Sequence, residues 1–260
     1  MSELERALEF LALADHGGTR RHPFAYGTAL FDERLPRRWD SNYLLVERVP
    51  EGIGAAELAA EAERIQGRAG LHHRKLELRD EEAGARLEPQ FRGLGWTVNR
   101  HVLMALHREA DRLPDCSLVR EVDAAALREA RAEQLRGYDW AAEPEVLAQL
   151  HAAKTLIAEV VEVRFFAVVI DGKPVSWTDL YLAGATAQIE DVGTLGSERG
   201  KGYASAVTLH AADEARRSGA HLIFLVADDE DWPKELYRKL GFDELGRVYE
   251  FLLAGPRGTR

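Results

Sequence analysis

The sequence carries an imperfect copy of itself. The sixteen residues from Phe91, FRGLGWTVNRHVLMAL, align without a gap to those from Tyr237, YRKLGFDELGRVYEFL, 146 positions later. Arg92/Arg238, Leu94/Leu240, Gly95/Gly241, Trp96/Phe242, Val102/Val248 and Leu106/Leu252 pair in this register, and chance is a poor explanation for six such matches. Upstream the order persists. The strand-like HHRKLELRD falls about where HLIFLVADD falls later, the Ala/Glu-rich GAAELAAEAERIQGRAG faces a second helix, and SNYLLVE stands in for QIEDVGTL. The chain therefore reads as two homologous halves, 1–113 and 114–260, with the boundary near Leu113 to Ser117. A length of 260 residues holds two domains at roughly 100 to 200 residues each.

The second half has the clearer pattern. VRFFAVVI is a run of β-branched and aromatic residues closed by Asp171-Gly172, a favoured two-residue hairpin turn, and KPVSWTDLYL returns from it. TAQIEDVGTL adds a third antiparallel strand. Val207, Ala211 and Ala215 then recur at four-residue spacing, which predicts a helix beginning near Gly200 and ending before Gly219. HLIFLV is a short apolar strand reached by that crossover, so it should lie parallel to the strand before the helix. Asp231 is the expected N-cap of WPKELYRKL, with Pro233 in its first turn, and FDELGRVYEFLL is a final strand. EVDAAALREARAEQLRG and EPEVLAQLHAAKTLI lead this half as helices. The fold class expected is α/β, mixed and mostly antiparallel sheets flanked by helices.

Composition narrows the partners. Lys plus Arg number 34 against 44 Asp plus Glu, a net charge of -10 that argues against a broad nucleic-acid or anionic-membrane surface. No window approaches the roughly 18 apolar residues of a membrane span, and the opening MSELERALEFLALAD carries acids throughout, unlike a secretory signal. The single cysteine, Cys116, excludes an intrachain disulfide and reads as an inert small hydrophobe. A soluble cytoplasmic protein, monomer or homodimer, is expected, binding neither nucleic acid nor membrane.

The sharpest local feature is Arg199-Gly200-Lys201-Gly202-Tyr203-Ala204, a glycine-bearing turn between a strand and a helix. Such a turn presents backbone N–H groups at the positive end of the helix, where a phosphate fits without side-chain crowding. The alternative is a plain exposed helix start. RGKGYA, the strand IEDVGTL before it and the later ELYRKLGF together resemble the GNAT superfamily of acyl-CoA-dependent N-acyltransferases. Arg199, Gly202 and Ala204 match that family's Q/R-x-x-G-x-G/A pyrophosphate loop, and Tyr237 its tyrosine position. The resemblance covers about residues 117 to 253; the N-terminal half looks like a degenerate second copy, as in tandem GNAT proteins of actinobacteria, and the two would form a pseudo-dimer with one splayed strand pair in each sheet.

The resemblance implies acetyl-CoA as cosubstrate and no metal. It gives Val192, Gly193 and Thr194 to the pantetheine arm and acyl carbonyl, and Arg199, Gly200, Lys201, Gly202, Tyr203, Ala204 and Ser205 to the pyrophosphate; for Val192 the alternative is strand packing. An attacking amine with a pKa near 10.4 is about one part in a thousand neutral at pH 7, so a base is useful. Glu190 and Asp191 should point to opposite faces of their strand, so only one can serve, and Glu190, on the face of Gln188, is the candidate against a plain solvated charge. Its repeat counterpart is Leu44. Tyr237 is the candidate acid for the departing thiolate, titrating near 10, unless it is only a core aromatic; its counterpart is Phe91. Glu230 stands where many family members carry asparagine. The expected activity is acetyl transfer to a primary amine of a small molecule or peptide by direct attack. The alternatives are a tandem enzyme of specialised thiol or antibiotic metabolism, similar to mycothiol synthase, and a CoA-binding regulatory module that no longer catalyses. Ile53 and Gly54 in place of Arg199 and Gly200 predict one CoA per chain. His72, His73, His101 and His107 are expected to be surface histidines on strands of the first half.

Overall fold

The computed structural model describes residues 1–15, 20–136, 138 and 143–254. In chain order the elements are α1 (Glu3–Asp15), β1 (Arg20–Phe24), β2 (Gly27–Phe31), β3 (Asn42–Val46), α2 (Ala55–Ala62), β4 (Arg74–Leu78), α3 (Glu81–Gly93), β5 (Thr97–Leu106), β6 (Val119–Val122), α4 (Arg128–Leu135), α5 (Pro144–Leu156), β7 (Glu162–Ile170), β8 (Lys173–Ala183), β9 (Thr186–Thr194), α6 (Tyr203–Arg217), β10 (Leu222–Asp228), α7 (Pro233–Lys239) and β11 (Phe242–Leu253). The α/β class is borne out. The segment β9-α6-β10-α7-β11 repeats the order β3-α2-β4-α3-β5, which is the sequence repeat seen as structure. No described helix is long and apolar enough to cross a membrane.

The chain divides into two compact units that are interleaved in sequence. One comprises Met1–Gly17, Leu103–Ala227 and Asp231–Leu245; the other Gly18–Val102, Asp228–Glu230 and Gly246–Arg260. In the first, β6, β7, β8 and β9 pair antiparallel in that order. Asp171 (φ 48°) and Gly172 (φ 79°) make the β7–β8 turn, both in the left-handed region that a type I′ hairpin demands. β10 lies parallel to β9, as its crossover through α6 requires. α6 covers one face of this sheet with Val207, Ala211 and Ala215, all fully buried. On the other face Leu127 and Ala130 pack against Ala167 and Trp177.

In the second unit β1, β2 and β3 are antiparallel, β3 and β4 parallel around α2, and β11 antiparallel to β4. Leu44, Leu58, Leu76, Leu78, Phe91 and Phe251 form its core, with Phe91 stacked on Phe251 at 4.1 Å. Asp80 caps α3 by accepting from Ala83 N at 3.0 Å.

Several sequence expectations shift. α6 starts at Tyr203, three residues after Gly200, because Gly200 and Gly202 both adopt positive φ and cannot extend a helix. The N-cap of α7 is Trp232; Asp231 sits one residue outside and accepts from Trp232 N at 2.7 Å. Val119–Val122 is an edge strand, so the helix read from Glu121 begins at Arg128. His73 is buried, not a surface residue: its Nε2 bonds the Asn42 carbonyl at 2.8 Å and its ring stacks on Trp39. It precedes β4, as does His72.

Candidate active site

β9 departs from regular alternation where the chemistry was expected. Trp177 faces Gly193 and Asp179 faces Glu190, so β9 inserts one extra residue against β8. Asp191 absorbs the insertion with φ 54°. The expectation that Glu190 and Asp191 point to opposite faces is therefore corrected: Asp191 reaches the same Arg131 and Lys154 that hold Asp179, the residue opposite Glu190. Parallel pairing with β10 runs from Leu222 opposite Thr186 to Leu225 opposite Ile189 and goes no further among the described residues, while β9 continues to Thr194. Residues 190 to 194 thus form the splayed edge.

Glu190 is half-buried and accepts from Gln188 Nε2 at 2.8 Å. Val192 is half-buried. At Gly193 close packing decides the residue type, since a Cβ there would lie 2.4 Å from the Trp177 ring. Ser176 Oγ donates to the Gly193 carbonyl at 2.8 Å and shares a 2.8 Å hydrogen bond with Thr194 Oγ1, fixing the end of the strand.

The turn into α6 has the conformation of an anion cradle. Gly200 and Gly202 have φ of 77° and 82°, a Cβ at either would meet open space, and Gly202 stands at the N-cap of α6 with no side-chain cap hydrogen bond. Arg199, Gly200, Lys201 and Gly202 are exposed; Tyr203, Ala204 and Ser205 are half-buried behind them. Lys201 pairs with Glu198 at 2.9 Å, so Arg199 and the amides carry most of the positive character. This donor set fits a pyrophosphate.

Tyr237, on α7, is 8% exposed, with its ring edge-on to Phe242. Burial pushes its phenol well above the ordinary value of 10, and the nearby Glu190 and Asp191 charges push it further. The expectation of titration near 10 is corrected accordingly. Tyr237 thus lies within electrostatic reach of Glu190 and Asp191. Glu230 instead pairs with Arg100 at 2.5 Å.

Sequence reasoning missed a buried ionic cluster behind β9. Asp179 is fully buried; Lys154 Nζ lies 3.0 Å and the Tyr181 hydroxyl 3.1 Å from its Oδ2, and Arg131 bonds its Oδ1. Arg131 Nε donates to Asp191 Oδ2 at 2.8 Å, and Lys154 stands 3.2 Å from the same oxygen. The signal was present: Asp179 interrupts the apolar alternation of KPVSWTDLYL, and a carboxylate in mid-strand needs buried partners.

Residues 124–242 match the family model described as acetyltransferase (GNAT) family. A search of curated proteins returns no significant match. Among solved structures, a functionally unknown conserved protein from Staphylococcus epidermidis superposes with a TM-score of 0.69 at 14% identity, covering 92% of this chain and 96% of that one. A GCN5-related N-acetyltransferase from Kribbella flavida gives 0.63 at 21%, covering 98% and 96%. A tandem GNAT protein from the clavulanic acid biosynthesis pathway gives 0.53 at 13%, also covering 98% and 96%. The last two similarities extend a GNAT-like fold across nearly the whole chain. Residues 124–242 thus carry a GNAT acetyltransferase-family domain, and the solved structures match the fold of the chain around it.

Proposed function

We propose that the chain transfers an acetyl group from acetyl-CoA to a primary amine of a small molecule or peptide by direct attack. The observation that carries this reading is the bulged, splayed end of β9 followed by the glycine turn into α6, whose N-cap Gly202 makes no side-chain cap hydrogen bond; the Glu190 charge acting on the Tyr237 phenol supports it. Acetyl-CoA supplies the thioester carbonyl and the thiolate leaving group. Arg199 to Ser205 would hold its pyrophosphate through backbone N–H groups, and the Val192 amide would polarise the acyl oxygen. Glu190 would take the proton of the attacking ammonium, directly or through water. Tyr237 would give its proton to the sulfur as the C–S bond breaks; its raised pKa keeps the phenol protonated at neutral pH.

The first half would have a structural role. In that half the amides that begin α2 are already taken: Gly54 N donates to Glu57 Oε2 and Ala55 N to Gln90 Oε1, each at 3.1 Å. A carboxylate there repels a phosphate, which supports a single CoA site per chain. The deciding experiment screens amines by thiol release from acetyl-CoA. Release that depends on amine and on enzyme supports acetyl transfer; CoA binding without release from any amine supports the regulatory module.

A further inference from the structure

Two described residues other than glycine adopt positive φ. Asp171 does so in a hairpin turn that requires it. Asp191 does so inside a strand, where no turn geometry imposes it and an L-residue is disfavoured sterically. Something must hold it there. Its Oδ2 accepts from Arg131 Nε at 2.8 Å and stands 3.2 Å from Lys154 Nζ. Both cations are anchored in turn on Asp179, which is wholly buried and also accepts from the Tyr181 hydroxyl. The Arg131 guanidinium lies over the Phe165 ring, 5.6 Å from its centre. Its planar fork bridges two carboxylates, one on β8 and one on β9, a task a single ammonium on a flexible stem performs poorly. Side chains of two elements, α4 and α5, thus meet at one oxygen of the residue before Val192, and both are tied to β8 through Asp179. An apolar cluster of the same volume would hold the sheet as well or better, so stability alone does not account for so many buried charges.

We propose that Arg131, Asp179 and Lys154 are positioning residues that lock Asp191 in its left-handed conformation and so fix the backbone amide of Val192 for the acyl carbonyl. The proposal rests on the acetyl-transfer reading above. It makes Asp191 important for its backbone, with the carboxylate serving as the handle by which the backbone is gripped.

Removing Arg131 would leave Asp179 buried with one cation, and loss of fold would obscure the result, so the test is placed on half-exposed Asp191. Asp191→Ala loses the handle and keeps the steric penalty; Asp191→Gly loses the handle and the penalty together. Asp191→Ala is expected to lower kcat about 10- to 100-fold, the range for a displaced catalytic group, with CoA affinity by calorimetry unchanged. Asp191→Gly should recover kcat to within about threefold of the parent. Equal losses in both variants would overturn the proposal by making the carboxylate itself necessary, and unchanged kcat in both would overturn it by making the grip superfluous. The 15N–1H resonance of Val192 gives a readout independent of turnover. The parent and Asp191→Gly should share its shift change on going from CoA to acetyl-CoA, and Asp191→Ala should lose it. The same change in all three sinks the positioning role whatever the amine screen returns. The expected pattern with no amine turned over would overturn the catalytic reading alone.

Discussion

One inserted residue in β9 decides which side chains meet. Without it, Glu190 and Asp191 would alternate across the sheet; with it, both bear on the Tyr237 phenol. Tyr237→Phe removes one oxygen and recreates the ring that Phe91 presents in the repeat, where it is fully buried and stacked. The fold and CoA affinity should survive while kcat falls by about 100- to 10,000-fold, the usual contribution of a general acid, with water access to the sulfur holding the loss toward the lower bound. Since burial and two carboxylates raise the phenol, the alkaline limb of the kcat profile should lie above pH 10; a limb below that, lost in Tyr237→Phe, would mean a solvated phenol. Gly193→Ala tests the packing beside it. The added methyl enters the Trp177 ring, so urea unfolding should show a loss of about 1 to 3 kcal/mol, the common cost of overpacking. The bulge itself was not legible in the sequence, because alternation is the default of any strand and Asp191 has no neighbouring glycine to announce a left-handed residue.

At the scale of elements, the strand-turn-helix unit β9-α6 was readable from RGKGYA and from the spacing of Val207, Ala211 and Ala215, since a helix face and a glycine turn are both local. Its parallel partner β10 followed from the crossover rule. What local pattern did not give was the strands β1, β2 and β6, which are short or lie at sheet edges, where burial does not impose a clean period. The cluster of Arg131, Lys154, Asp179 and Asp191 joins residues far apart in sequence, so no motif spacing encodes it. Two predictions belong to the helix N-termini. Gly202→Glu imposes a side chain on a φ of 82° and puts a negative charge in the cradle of α6, so calorimetric CoA binding should vanish; unchanged affinity would remove the loop from the cofactor site. The corresponding amides of α2 are bonded by Glu57 and Gln90, so the full chain should titrate with one CoA, and a stoichiometry of two would show that those side chains yield to a phosphate.

For the whole molecule, the repeat disclosed which segments correspond but not which residues pack as one body, since β5 and β11 each supply residues to both compact units. That sharing places Glu250, near the end of the chain, in the interior of the unit that holds β4. Lys75 is 5% exposed in its side chain and reaches Glu250 Oε2 at 2.5 Å; Asn99 donates to Oε1 at 2.7 Å, and His101 Nε2 stands 3.9 Å away. Burial alone would raise the Glu250 carboxyl, but the neighbouring His101 and the Lys75 charge outweigh it and bring it down to about 2 from an ordinary 4.5. A carboxylate depressed in the folded state stabilises the fold above its unfolded pKa, and that stability drains as pH falls from about 4.5 toward 2. The difference corresponds to about 3 kcal/mol at neutral pH, more than half of it gone by pH 3. Glu250→Gln should therefore lower the urea midpoint strongly at pH 7 and much less at pH 3, with a shallower acid slope between them. Parallel curves for the two proteins across that interval would mean that Glu250 keeps an ordinary pKa, and that the buried Lys75 is balanced alone by Asp40, whose Oδ1 also pairs with its Nζ.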